Sequence, residues 1–218
     1  MTKYRGTKKH RGPTHPKVFV WVHTKRAEPE YFRAFKNHHE LHRLIVYRAK
    51  GCLTPQSLID YVIAWRKLCD EYSEADGDRI WCVVDVDDFL DTEEDKQEVL
   101  RAVRRANIAG IRIGYANECF ELWILLHFVL PTAPIERGKD IEKRIQDVFK
   151  KVGLGLFQKN DDIFQRLLPF QEQAVQNSSK LLSNAEYEAI RWESALGKNG
   201  NPSTNIHMLV DDIQKLIV

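Results

Sequence analysis

Ile80-Trp81-Cys82-Val83-Val84-Asp85-Val86-Asp87-Asp88 decides how the rest of the chain is read. Five consecutive apolar residues without alternation suit a strand buried on both faces, as in a parallel sheet under helices. The run ends on three carboxylates, at the end of a strand where ligands of open α/β sheets gather. Upstream, Val18-Phe19-Val20-Trp21-Val22 is a second such run, and residues 44–49 and 111–115 supply two more strands. Helical patterns separate them. Thr54-Pro55 is an N-cap followed by proline, after which Leu58, Tyr61, Val62, Trp65, Leu68, Cys69 and Tyr72 recur at three- and four-residue steps. Glu28-Pro29-Glu30 opens another helix, with Pro29 at its first position and Phe32 and Phe35 facing inward. Val99, Ala102, Val103 and Ala106 mark the inner face of a third. Strand and helix alternating in this way predict an α/β fold with right-handed crossovers.

From Asn117 the character changes. Residues 119–129 are apolar nearly all round and predict a buried helix beside the sheet. Pro131 and Pro134 mark a boundary, beyond which only helical patterns follow: 138–152, 160–182 with a break at Pro169, and 184–196. Residues 197–204 form a loop of turn residues, and a last helix buries Ile206, Leu209, Val210, Ile213, Leu216 and Ile217. Asp211 and Asp212 on that helix read as a solvated face. The expected organisation is a basic tail over 1–16, an α/β domain over 17–130 and an all-helical extension over 131–218.

The 218 residues are 43% hydrophobic and 29% charged, which excludes a wholly disordered chain. The longest nearly uncharged apolar stretch, 122–135, is too short to cross a bilayer, so no membrane association is expected. The charged start lacks the apolar core of a signal peptide. Cys52, Cys69, Cys82 and Cys119 form no CxxC pair and read as reduced thiols of a cytoplasmic protein. The net charge of +2 is unevenly spread: Lys3, Arg5, Lys8, Lys9, Arg11 and Lys17 crowd the first 17 residues without one acid. Such a tail is a solvated terminus or an electrostatic arm for phosphate backbones.

Asp85 and Asp87 project to one side of an extended strand end, and two adjacent carboxylates call for a hard cation such as Mg²⁺ or Mn²⁺. The bland alternative is that the triplet caps the next helix together with Asp91, Thr92 and Glu93. A phosphatase of the haloacid-dehalogenase type is disfavoured, because here the DxD lies on a later strand and continues Asp-Phe-Leu. After the first strand, His23 can shuttle protons or bind a metal, Lys25 and Arg26 can hold phosphate, and Glu28 shares the same rim. Glu121 sits among Phe120, Leu122, Trp123 and Ile124, and needs either a core arginine or a metal site. His127 reads as a core histidine, and His38, His39 and His42 as a solvated helix end rather than a metal cluster.

Four ordered segments carry a resemblance: HTKRAEPEYF at 23–32, VDVDDF at 84–89, ANECFELWILLHF at 116–128 and NPSTNIH at 201–207. Together they resemble the RloB-like proteins, whose core is a Toprim-type domain. The resemblance implies a Toprim-like parallel sheet of about four strands between helices, followed by a helical extension. It further implies a metal-dependent nuclease, with Asp85 and Asp87 as Mg²⁺ or Mn²⁺ ligands, Asp88 in support, and Glu121 or Glu28 as a further candidate. Proton transfer would fall to His23 or Glu28. The backbone of a DNA, tRNA or other RNA substrate would meet Lys25, Arg26, Lys8, Lys9 and Arg11. The implied setting is antiphage defence, beside an ATPase of the AAA or ABC type, with a homodimer as a further expectation. The chain departs from the family at His23-Thr24, where a Glu-Gly pair is usual, and at Ala27 and Glu118. The alternative is therefore a catalytically degenerate module that binds nucleic acid or the ATPase.

Overall fold

The computed structural model describes residues 15–22, 27–52, 54–86, 89, 92–117, 119–135, 139–158, 163–182 and 201–217. The four apolar runs become parallel strands: β1 (Val18–Val22), β2 (Leu44–Arg48), β3 (Arg79–Asp85) and β4 (Ile111–Asn117). They stand in the order β2-β1-β3-β4, and a two-residue strand, β5 (Ser203–Thr204), runs antiparallel on the far edge. Between them lie α1 (Ala27–His38), α2 (Pro55–Leu68) and α3 (Glu93–Ile108). The α/β architecture expected from the alternation of patterns is thus present, with one more strand than expected.

Side chains of odd and even number leave the sheet on opposite faces, and each face has its own core. On one, Val18, Val20, Val22, Trp81 and Val83 pack under α1 with Tyr31, Phe32 and Phe35. That face is completed by α4 (Glu121–Leu126), α5 (Lys139–Lys151), α6 (Phe164–Leu167), α7 (Gln171–Leu181) and α8 (Ile206–Gln214). On the other, Phe19, Trp21, Ile80, Cys82, Val84, Ile113 and Tyr115 pack under α2 and α3. Gly114 permits the close approach of α8, since a Cβ there would lie 3.2 Å from Ile206 Cδ1.

Local chemistry sets the helix starts. Thr54 Oγ1 accepts from Ser57 N while Thr54 N donates to Ser57 Oγ, and Pro55 fills the first turn of α2. Thr92 and Asp95 make the same reciprocal pair at α3.

Several expectations are corrected. α1 begins at Ala27, which leaves Pro29 at its third residue. α4 has only six residues, because Phe128 and Val129 N–H groups both turn back to the Leu125 carbonyl. Leu68 is 83% exposed, and Ile217 lies beyond α8 and is half-exposed. Asp212 is buried rather than solvated, because α8 turns it inward one turn after Leu209. It accepts from Arg79 at 2.5 Å, Arg112 at 2.6 Å and Trp81 Nε1 at 3.1 Å, with Lys215 at 3.1 Å.

β5 lies within the loop of turn residues. Thr204 stands opposite Ala116 and Ser203 opposite Asn117. Asn205 then imitates a strand: its Oδ1 accepts from Tyr115 N at 2.8 Å, and its Nδ2 donates to Ile113 O at 2.7 Å. Thr204 Oγ1 donates to Tyr115 O at 2.6 Å. Behind it, Ser178 donates to Thr204 O, so the Nδ1–H of buried His207 donates to Ser178 Oγ at 2.7 Å.

Two predictions follow from these contacts. Asn205→Ala strands a buried N–H and a buried C=O on β4, and is expected to cost about 2–4 kcal/mol in urea unfolding. Burial pushes both His207 and His127 down to about 4. Because the unfolded chain binds their protons first, their contribution is full above pH ~6.5 and falls as the pH drops toward 4. Unfolding at pH 7.5 and 4.5 is expected to show a loss of about 2–3 kcal/mol per histidine, with a shallower slope in His207→Asn.

Candidate functional site at the β1 and β3 strand ends

β1 hands the chain through α1 to β2 on one side, whereas β3 hands it through α3 to β4 on the other. The two connections leave neighbouring strand ends in opposite directions and over opposite faces. A crevice opens at such a switch point, outside the carboxyl ends of the strands. Val22, the last residue of β1, is in register with Val83, and β3 runs two residues further to Asp85.

Asp85 shares the parity of Trp81 and Val83, so its carboxylate leaves the sheet on the face covered by α1 and α4. Those two helices meet at their first turns. The ring of Tyr31 lies 5.6 Å from that of Phe120, and Phe32 lies 5.9 Å from it. Glu28 precedes Tyr31 and Phe32 by three and four positions and shares their helix face. Glu121 follows Phe120 directly as the first residue of α4. Both carboxylates are buried, at 3% and 6% exposure, and Asp85 is half-buried.

Cys119 reports how these charges are grouped. Burial pushes its thiol well up, and the Glu121 carboxylate, within hydrogen-bonding reach, pushes it further. Asp85 adds to the same effect. One thiol therefore feels carboxylates from β3 and α4 together. Side-chain oxygens of this kind suit a hard divalent cation, so the donor set fits Mg²⁺ or Mn²⁺. Among the described residues, no three His, Cys, Asp or Glu side chains are grouped closely enough to hold an ion by themselves. A full ligand shell would draw on water or on side chains of the adjoining loops.

The sequence profile of the RloB-like protein family matches residues 18–213, almost the whole chain. The chain belongs to the RloB-like family. No curated protein and no solved structure matches it. In this RloB-like chain the described parts of the four motif segments fall on α1, the end of β3, β4 with α4, and β5 with α8. Those segments surround the switch point and the edge of the sheet beside it.

Of the candidates read from the sequence, Glu28, Asp85 and Glu121 lie on this one face at the strand ends. His23, Lys25, Arg26, Asp87, Asp88, Lys8, Lys9 and Arg11 lie outside the described residues. His127 is a core histidine whose Nδ1–H donates to Trp123 O at 2.9 Å. His38 is exposed at the end of α1, 3.1 Å from Gln165 Nε2, while His39 rests on Phe35. Sequence reading passed over the place of Cys119 among the carboxylates. Its position two residues before Glu121, in the turn leaving β4, is the available signal. Among the described residues, no helix is long and apolar enough to cross a membrane.

Removing either neighbouring charge stabilises the Cys119 thiolate. Glu121→Gln is expected to raise the alkylation rate of Cys119 at fixed pH by roughly tenfold, and Asp85→Asn by less. Pseudo-first-order labelling across pH, read by mass spectrometry, checks both.

Proposed function

We propose that this RloB-like protein is a divalent-metal-dependent nuclease of the Toprim class, acting as an effector in antiphage defence. The observation that carries this reading is that Asp85 from β3 and Glu121 from α4 both act on Cys119 beside the switch point of the sheet, with Glu28 buried on the same face. Carboxylate oxygens suit a hard divalent cation, and a metal-bound phosphodiester is the occupant such a site would take. Asp85 and Asp87 would hold Mg²⁺ or Mn²⁺, with Asp88 and Glu121 in support. When bound, that ion supplies charge stabilisation at a phosphoryl oxygen and a more acidic water.

The protein's own groups account for the remaining work. Glu28, fixed in the first turn of α1, or His23 just before it, takes the proton of the attacking water and returns one to the leaving oxygen. Lys25 and Arg26 hold the backbone phosphates beside the scissile bond, and Lys8, Lys9 and Arg11 extend that track. Phosphate contacts of this kind position the strand without selecting its sequence. An ATPase partner of the AAA or ABC type, implied by the family resemblance, would control access to the site.

A second reading has one observation in its favour: His23-Thr24 stands where the family usually has Glu-Gly. On that reading the chain binds nucleic acid or the ATPase without cutting. Plasmid, single-stranded DNA and total tRNA incubated with Mg²⁺ and then Mn²⁺ separate the two. Cleavage that falls by about 10²–10³-fold in Asp85→Ala supports the nuclease. Binding without cleavage, unchanged in Asp85→Ala, rejects it in favour of the second reading.

A further inference from the structure

β2 ends on a cation. Its last residue, Arg48, is in register with Val22 of β1, which is itself in register with Val83 of β3. Leu44 and Val46 join the core under α1, so Arg48 leaves the sheet on that same face. Asp85 leaves on it too. Neighbouring strands lie about 4.8 Å apart and rise about 3.3 Å per residue, which places the Cα atoms of Arg48 and Asp85 roughly 12 Å apart.

Every other arginine among the described residues has a partner within the protein. Arg48 has no ion pair, hydrogen bond or ring contact among them, although it is half-buried. Partly burying a guanidinium strips water from it, and a structural arginine recovers that cost on an acid or a carbonyl. Lys50 follows two residues later. Ala49 N–H still donates to Val22 O at 2.9 Å, and Gly51 then turns the chain at φ +83° toward the Thr54 cap of α2. Lys50 is thereby held exposed at the crest of the turn, and it too lacks an acid partner among the described residues.

We infer that Arg48 and Lys50 bind the phosphate backbone of a nucleic-acid strand that crosses the strand ends from β3 to β2. The inference rests on the nuclease reading for the identity of this ligand. An unpaired guanidinium on the carboxylate face suits a polyanion arriving from outside. It can take one phosphate through two parallel N–H bonds, whereas the Lys50 ammonium acts as a point charge beside it. The shared face with Asp85 and Glu28 favours phosphate over an acidic protein surface, which could be met as well on any remote helix.

The test is fluorescence anisotropy of the full chain with a labelled single-stranded DNA and with labelled total tRNA, in EDTA, across a salt series. Arg48→Gln combined with Lys50→Gln is expected to raise Kd by about tenfold and to flatten the slope of log K against log salt by about 1–2. Lys50→Gln alone, at an exposed position, keeps the test independent of folding and is expected to flatten the slope by about half as much. Lys67→Gln, exposed at the end of α2, is expected to change neither quantity. Unchanged affinity and slope in the double variant overturn the inference and leave the two cations to an acidic protein surface. A wild-type chain that binds neither probe overturns it as well. Cleavage is read separately, on adding Mg²⁺: a wild type that binds through these residues without cutting sinks the nuclease reading and leaves the inference standing.

Discussion

A right-twisted strand that feeds a right-handed helix can return to its sheet on one side only. In this chain that constraint sends α1 over one face to reach β2, and α2 and α3 over the other to reach β3 and β4. The ends of β1 and β3 are left side by side with no helix crossing between them. The places of Glu28, Asp85 and Glu121 beside that rim follow from where the chain must turn.

The two ends of the sheet treat carboxylates differently. At the N-terminal end, Asp212 is enclosed by Arg79, Arg112 and Lys215, and its role is to tie α8 to the starts of β3 and β4. At the C-terminal end, Glu121 and Asp85 both act on Cys119 and raise its thiol. Buried ion pairs add little to stability, but grouped like charges lower it until a counter-charge arrives.

Much of this was legible in the sequence, for physical reasons. Uninterrupted runs such as Val18–Val22 and the strand ahead of Asp85 can hardly be anything but two-faced strands, and Thr54-Pro55 announces a helix start unaided. Asp85 stood out as a candidate because strand ends concentrate ligands whatever the chemistry. What escaped was set by distant contacts. β5 has two residues and no periodicity, and it exists only because β4 presents an open edge. Asp212 looks solvated in a helix with Asp211 beside it, and nothing local reveals that two arginines from strand starts converge on it. The shared polar core of Tyr31, Trp123, His127 and Gln171 joins positions up to 140 apart in sequence. The sequence marks His127 as a core histidine, but not the residues from α1 and α7 that surround it.

The Asn205 clamp also bears on the order in which the molecule can be built. β4 is complete by Asn117, but the residues that pair with its open edge come nearly ninety positions later. Contacts so far apart close late, because the chain between them must first lose its freedom. During synthesis, the β2-β1-β3-β4 sheet therefore emerges with its β4 edge bare and the α8 side of its core uncovered. A bare edge invites pairing with other chains. Residues 201–217 thus close the fold in time as well as in space, and the nascent protein is most vulnerable just before they leave the ribosome.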